Sequence, residues 1–131
     1  MINLFKVGDE MTFELIVQSS DAATFETGTV HPVYATFALG RDAEWCCRLF
    51  VLAMKEEDEE GIGTFLTINH VSPALVGSEI KITSVIKSIE RNEIVCSYEV
   101  KCGERLVAHG EQGQKILKKA KLERLFAELG S

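Results

Sequence analysis

Residues 40–55 form one continuous apolar stretch, and this stretch restricts the possible folds more than any other feature of the chain. The run GRDAEWCCRLFVLAMK places its apolar side chains at helical spacing. Before its last residue, the run is interrupted only by Arg41, Asp42, Glu44 and Arg48. A helix that is apolar nearly all round is buried rather than laid on a surface. The rest of the chain therefore has to enclose it.

The hydrophobic pattern changes after Gly63 from a helical period to a period of two, which is typical of strands. Four strands are predicted there, over residues 65–71, 77–90, 94–102 and 104–117, after an earlier strand over 11–18. The short connections between the later strands predict antiparallel hairpins. Residues 19–32 are small and polar and are interpreted as a loop with room for one helical turn.

Two further segments are interpreted from charge and spacing. The acidic cluster at 55–60 is interpreted as a solvated loop that ends the central helix. The apolar residues of the tail recur at i, i+3, i+4 and i+7, which predicts an amphipathic helix over about 119–129. We expect that helix to pack against the sheet or against a second subunit.

One buried helix combined with antiparallel strands predicts an α+β architecture. A curved antiparallel sheet would wrap around one central helix, which is the hot-dog fold. The 131 residues are expected to form one domain over 1–131, since that length is usual for a single domain. Pairing two copies would cover the unpaired edge strands of an open sheet, so a homodimer or a higher homo-oligomer is expected.

Composition excludes several classes of function. The net charge is −6 and no basic patch is present, which argues against a nucleic-acid partner. No apolar run reaches the roughly 18 residues of a membrane span, and residues 1–10 do not resemble a signal peptide, so a cytoplasmic protein is expected. The four cysteines lack metal-ligand spacing, which predicts free, mostly buried thiols and no metal site.

Three stretches of the chain match the motifs of a known family: Val33–Thr36, Gly40 with Ala43–Trp45, and Gly63–His70. Together they resemble the hot-dog acyl-CoA thioesterases of the fluoroacetyl-CoA thioesterase type. That family carries a Thr, a Glu and a His as its functional trio. Thr36, Glu44 and His70 match it here, with gaps of 8 and 26 residues. The resemblance implies an enzyme that hydrolyses an acyl-CoA to a free acid and CoA, with no cofactor besides the CoA of the substrate, and it also implies a homodimer.

Each member of the trio also has a purely structural interpretation. The Thr36 hydroxyl can attack or bind a thioester carbonyl if a base takes its proton, or it can cap a helix. Glu44 can exchange protons, or it can pair with Arg41 or Arg48 on its own helix. His70 can act as a general acid or base, or it can be a core or rim histidine with one hydrogen bond. The resemblance favours the catalytic interpretation and leaves open whether His70 or Glu44 activates water.

Three further residues are predicted to bind substrate. Gly40, at the expected start of the helix, and Gly63 can each offer a backbone N–H to a carbonyl oxygen, although turn geometry also explains both glycines. Gln114 stands where the fluoroacetyl-specific family member has an arginine. Val30 and Thr27 stand where that member has bulky lid aromatics. These departures favour a small or medium acyl-CoA over a fluorinated one.

Two rival functions use the same fold. The first is a non-catalytic acyl-CoA binding or sensing protein, which usually carries a second domain for which this chain has no length. The second is a hot-dog dehydratase or hydratase, which needs a Gly-Asp-x-Asn-Pro motif and a histidine. Here Gly8-Asp9 is followed by Glu10-Met11, and His31 lacks that context.

Overall fold

The computed structural model describes residues 1–25 and 28–130. Within these ranges, eight strands and two α-helices follow one another, with a 3-10 turn at Ser19–Asp21 between the first two strands. The elements are β1 (Glu10–Ile16), β2 (Ala22–Phe25), β3 (Gly28–Tyr34), α1 (Thr36–Met54), β4 (Glu59–Leu66), β5 (Asn69–His70), β6 (Glu79–Glu90), β7 (Glu93–Cys102), β8 (Arg105–Lys118) and α2 (Lys119–Leu129).

The main sheet has six antiparallel strands in the order β1-β6-β7-β8-β4, and β5 pairs with β8 beyond the end of β4. Strands β2 and β3 form a separate two-stranded hairpin. Strands β1 and β4 are therefore the edges of the main sheet. This order confirms the predicted antiparallel sheet wrapped around one helix.

Helix α1 lies against the concave face of this sheet and supplies much of the core. Its buried residues are Ala38, Leu39, Gly40, Ala43, Cys46, Cys47, Phe50, Val51 and Met54. The ring of Phe50 meets the ring of Phe5 edge to face, with centroids 5.0 Å apart. Every second residue along β6 and β7 is buried and faces the helix from the sheet. The sheet and the helix thus share one core, as the apolar run predicts.

The structure corrects the predicted start of α1 and the predicted loop before it. The helix begins at Thr36, four residues earlier than predicted, with Ala35 as its N-cap. Residues 19–32 are not a loop, because β2 and most of β3 lie within them and pair with each other. The short strands escaped prediction because small polar residues, a glycine and a proline look like a turn in sequence.

Two predictions about the strand after α1 are also corrected. Strand β4 begins inside the acidic cluster, where Glu59 is buried and lies 2.7 Å from the Met1 amino group. That residue is therefore not part of a solvated loop. The strand predicted over 65–71 is in fact two strands, since β4 ends at Leu66 and β5 covers only Asn69 and His70.

The remaining expectations concern the cysteines and the tail. All four cysteines are free, and Cys46, Cys47 and Cys96 are buried, as predicted. Helix α2 forms where the tail periodicity places it and buries Leu122. Across the described ranges, no helix is both long enough and apolar enough to cross a membrane.

A buried carboxylate ties the start of α1 to the turn before β2. Asp21 lies 2.8 Å from the Arg41 guanidinium, and it accepts the Gln18 N–H at 3.0 Å. Its backbone carbonyl accepts the Ala35 N–H at 2.8 Å. Burial alone would raise the pKa of Asp21, but the bonds from Arg41 and Gln18 outweigh it, so that pKa lies below its ordinary value.

Replacing Asp21 with Asn should therefore destabilise the fold at neutral pH but not in acid. We expect a loss of about 1–2 kcal/mol at pH 7, since a hydrogen bond to a charged group is removed. A carboxyl with a lowered folded pKa stabilises above its unfolded pKa, and this stability is lost as the pH falls through the folded pKa. The test is urea unfolding of both proteins between pH 7 and about 2, because this range spans the pKa of aspartate in the unfolded chain, which is near 3.9. A difference in the free energy of unfolding between the two proteins that stays constant over the whole pH range would contradict this role of Asp21.

Candidate active site

Thr36 and His70 meet at the N-terminal end of α1. Thr36 is the first residue of the helix, and its Oγ1 lies 2.9 Å from Nδ1 of His70 on β5. The N-cap is Ala35, which makes no side-chain cap bond. The interpretation of Thr36 as a helix cap is therefore wrong, and its hydroxyl is instead paired with an imidazole. Thr36 is exposed, so the pair faces an accessible surface.

The segment that carries His70 is fixed by bonds to Thr67. The Tyr98 hydroxyl donates to the Thr67 carbonyl at 2.6 Å. The Thr67 N–H donates to the Glu111 carbonyl, and the Glu111 N–H donates to the Thr67 hydroxyl, both at 2.9 Å. Burial raises the pKa of Tyr98 to about 12, which keeps it a donor. Gly110 permits this close approach, since a Cβ there would lie 2.0 Å from the Thr67 oxygen. The histidine is thus positioned by strands on both sides.

The second ring nitrogen of His70 is buried and unpaired. Its Nε2 has no hydrogen-bond partner among the described residues. Buried polar atoms are hydrogen-bonded in most proteins, so this nitrogen needs a partner that the described residues do not supply. The interpretation of His70 as an ordinary core histidine does not account for this atom.

Glu44 occupies a second cluster, further along α1. Its Oε1 accepts a bond of 3.1 Å from Nε2 of Gln112 on β8. Gly63 on β4 makes room for the carboxylate, because a Cβ at that position would lie 2.7 Å from the same oxygen. Neither ion pair considered for Glu44 is formed, since Arg41 and Arg48 bind other acids.

Two glutamines lie behind Glu44, and sequence analysis identified only one of them. Gln114 donates from Nε2 to Oε1 of Gln112 at 2.9 Å. Both side chains are buried, at 1% and 2% exposure. Gln112 was missed as a site residue. The available signal was two glutamines at i and i+2 on the face of β8 that also buries Ile116.

Gly40 and Gly63, the two glycines predicted to bind substrate, lie in different surroundings. Gly40 lies inside α1, so the prediction that it starts the helix is wrong. The N–H groups without an intrahelical partner are those of Thr36–Ala38, because the Leu39 N–H already bonds Ala35. A Cβ on Gly40 would lie 2.7 Å from Ile68, which shows that the glycine lets the β4–β5 connection pack on the helix. Gly63 is exposed on the edge strand β4.

The two clusters lie along one side of α1. Thr36 and Glu44 are eight residues apart, which is about 12 Å between their Cα atoms on a helix. Across the described residues no hydrogen bond joins Glu44 to Thr36 or His70. Large exposed apolar side chains flank this strip, namely Phe37, Trp45, Phe65 and Leu66. The arrangement offers a hydroxyl–imidazole pair at one end and a carboxylate at the other.

Other features of the chain lie away from this strip. His31 and His109 are exposed and contact neither cluster. A groove of about 860 Å³ is lined by Lys81, Thr83 and His109, among others, and contains none of the trio. The β6 residues of that groove alternate with the buried isoleucines that face α1, so the groove lies on the outer face of the sheet. We therefore assign the chemistry to the strip along α1.

Comparison with known proteins identifies the family of the chain. The family of fluoroacetyl-CoA-specific thioesterases matches residues 17–120. The chain belongs to this thioesterase family. Of the two positions that correspond to lid aromatics, Val30 lies on β3 and Thr27 lies outside the described residues. Comparison with curated proteins gives no match.

Solved structures of similar proteins have the same fold. A Thermus thermophilus hypothetical protein, a thioesterase superfamily member, is 35% identical with a TM-score of 0.90, over 95% of this chain and 93% of that one. A hot-dog-like protein from Thermanaerovibrio acidaminovorans is 20% identical with a TM-score of 0.90, over 98% and 96%. A variant of a fluoroacetyl-CoA-specific thioesterase, in complex with fluoroacetate and CoA, is 18% identical with a TM-score of 0.83, over 90% and 99%. The hot-dog fold of this thioesterase family member is thereby confirmed.

Proposed function

We propose that this protein is an acyl-CoA thioesterase that hydrolyses a small or medium acyl-CoA to a free acid and CoA. The observation that carries the proposal is the Thr36–His70 pair, in which the exposed Thr36 hydroxyl lies 2.9 Å from Nδ1 of the imidazole. Family membership supports thioester hydrolysis. Structures of fluoroacetyl-CoA thioesterase variants with fluoroacetate and CoA, and with acetyl-CoA, support a CoA ester as the class of substrate.

The catalytic steps are divided between the Thr36–His70 pair and Glu44. Thr36 binds or attacks the thioester carbonyl, and the free N–H groups in the first turn of α1 stabilise the oxyanion that develops. His70 and Glu44 transfer the protons. Two routes fit this arrangement. In one, Thr36 takes the acyl group as an ester, the C–S bond breaks, the thiolate of CoA takes a proton, and water then hydrolyses the ester. In the other, activated water attacks the thioester directly.

The three residues predicted to bind substrate have different roles in this proposal. Gly63 contacts substrate through its backbone at the exposed edge strand. Gly40 lets the connection after β4 pack close to the helix, and Gln114 acts from behind through Gln112. With an amide in place of an arginine at 114, the acyl group is an ordinary small or medium one. The reaction uses no resident cofactor and no metal.

We also propose that the protein works in the cytoplasm as a homodimer or a higher homo-oligomer with active sites where subunits meet. Its four free cysteines suit a reducing compartment. Strand β4 is an edge of the sheet and carries exposed Phe65 and Leu66, with exposed Trp45 on the adjacent helix. Pairing of two such edges would cover these side chains and satisfy the free backbone groups.

Turnover of CoA esters tests the enzyme. We expect the wild-type protein to release free thiol from at least one ester in a panel from short to long acyl chains, aryl esters included. His70→Ala should lower kcat by about 10²–10⁴, the usual contribution of a general acid or base. His109→Ala is the matched control, because that histidine is exposed on β8 outside the site, and it should keep wild-type turnover.

Two results of the turnover assay would contradict the proposal. Unchanged turnover in His70→Ala would remove His70 from the chemistry. Tight binding of CoA esters without turnover would favour a non-catalytic acyl-CoA binding or sensing protein, and Thr36, Glu44 and His70 would then have only structural roles.

The oligomeric state tests the shared interface. Sedimentation equilibrium should give at least twice the mass of one 14.5 kDa chain. Phe65→Glu should shift the protein toward the monomer, because it places a charge on the proposed β4 interface. Leu75→Glu is the control, since this residue is also apolar and exposed but lies in the connection between β5 and β6. A wild-type protein that is monomeric at all concentrations would rule out the shared site.

A further inference from the structure

The orientation of the Gln112 amide is fixed by two acceptors. Its Nε2 lies 3.1 Å from Oε1 of Glu44 and 2.8 Å from the carbonyl oxygen of Gly113. An amide nitrogen carries two N–H donors, so one donor serves each acceptor. The reversed amide would place its oxygen against a carboxylate oxygen and a carbonyl oxygen, which repel it. Gln112 therefore points its N–H groups at Glu44.

This orientation determines how Gln114 must lie. The oxygen of Gln112 needs a donor, and Nε2 of Gln114 supplies one at 2.9 Å. The oxygen of Gln114 is then left buried with no partner in the described part of the chain. A buried unpaired carbonyl destabilises a fold. An apolar side chain at position 114 would remove that unpaired oxygen but would leave the buried Gln112 oxygen without its donor, so the two amides belong together.

We propose that Gln112 and Gln114 are a positioning pair that fixes the direction of the Glu44 carboxyl group for proton transfer. Both amides donate in one direction, from Gln114 to Gln112 and from Gln112 to Glu44. The second carboxyl oxygen of Glu44 has no partner among the described residues. This inference rests on the proposed function and extends it, because it assigns Glu44 as the base and leaves His70 to act as the acid.

The charged groups near Glu44 in the described structure bind other partners, so none of them positions its carboxyl group in place of the two glutamines. On its own helix, Arg41 and Arg48 form ion pairs with other acids. On β4, the nearest acid in sequence to Gly63 is Glu60, which is the partner of Arg48. On β5, His70 bonds Thr36. Strand β8 faces Glu44 only with uncharged glutamines, so Gln112 is its one hydrogen-bond donor in the described structure.

The test compares three glutamine-to-methionine variants, which keep side-chain length and remove the amide. Gln112→Met should lower kcat about 10- to 100-fold with little change in KM, as expected for loss of a hydrogen bond to a charged group. Adding Gln112→Met to Glu44→Gln should cause no further loss of kcat, because the pair acts only through that carboxyl group. Gln18→Met is the control, since Gln18 is exposed beyond β1, and it should match the wild type.

Gln114→Met separates positioning from stability. We expect a smaller fall in kcat than in Gln112→Met, again with little change in KM. The melting temperature should change little, because the unpaired buried oxygen of Gln114 is removed while the buried Gln112 oxygen loses its donor. The pair would be merely structural if both variants kept the wild-type kcat, or if activity fell only together with the melting temperature.

A protein without turnover on any ester would contradict the proposed function, and the pair can still be tested on its own. The carboxyl carbon of Glu44 can be followed by ¹³C NMR at neutral pH in the wild type, in Gln112→Met and in Gln18→Met. We expect its chemical shift to change in Gln112→Met, which removes the hydrogen bond to it, and to stay at the wild-type value in Gln18→Met. An unchanged chemical shift in Gln112→Met would overturn the positioning pair whatever the activity.

Discussion

Helix α1 depends on a sheet that bends around it, because nine of its residues are buried and need an apolar surface to pack against. The strands that enclose it also carry the site. His70 reaches the first turn of the helix from β5, and Gly63 and Gln112 reach the third turn from β4 and β8. Enclosure of the helix thus assembles the chemical groups, and the exposed edge at β4 keeps them accessible.

Placing a carboxylate on such a helix creates a second requirement. Glu44 is only half exposed, so it needs a hydrogen-bond partner from the sheet. Gly63 lets the carboxylate approach the strand, and Gln112 supplies the donor. The buried Gln114 follows from that choice, because the Gln112 oxygen needs a donor in turn. The polar chain within this apolar core is therefore best understood as support for Glu44.

Sequence patterns predicted what depends on long periodic segments: α1 as the helix that the sheet encloses, the long strands and α2. They failed where structure depends on contacts distant in sequence. The β2–β3 hairpin is short and looks like a turn, and the first turn of α1 lacks a capping side chain, since Ala35 is the N-cap. Gln112 meets Glu44 across 68 residues, which no local pattern reveals. The Thr36–His70 bond likewise depends on how β5 docks on β8.

The central claim is that Thr36 and His70 act as one unit in thioester hydrolysis, and a double-mutant cycle tests it most directly. kcat would be measured on one CoA ester for the wild type, Thr36→Val, His70→Ala and the double variant. Groups that act together are strongly non-additive, so the double variant should be no slower than His70→Ala alone. Losses that multiply in the double variant would show that the two residues act independently and would contradict the account.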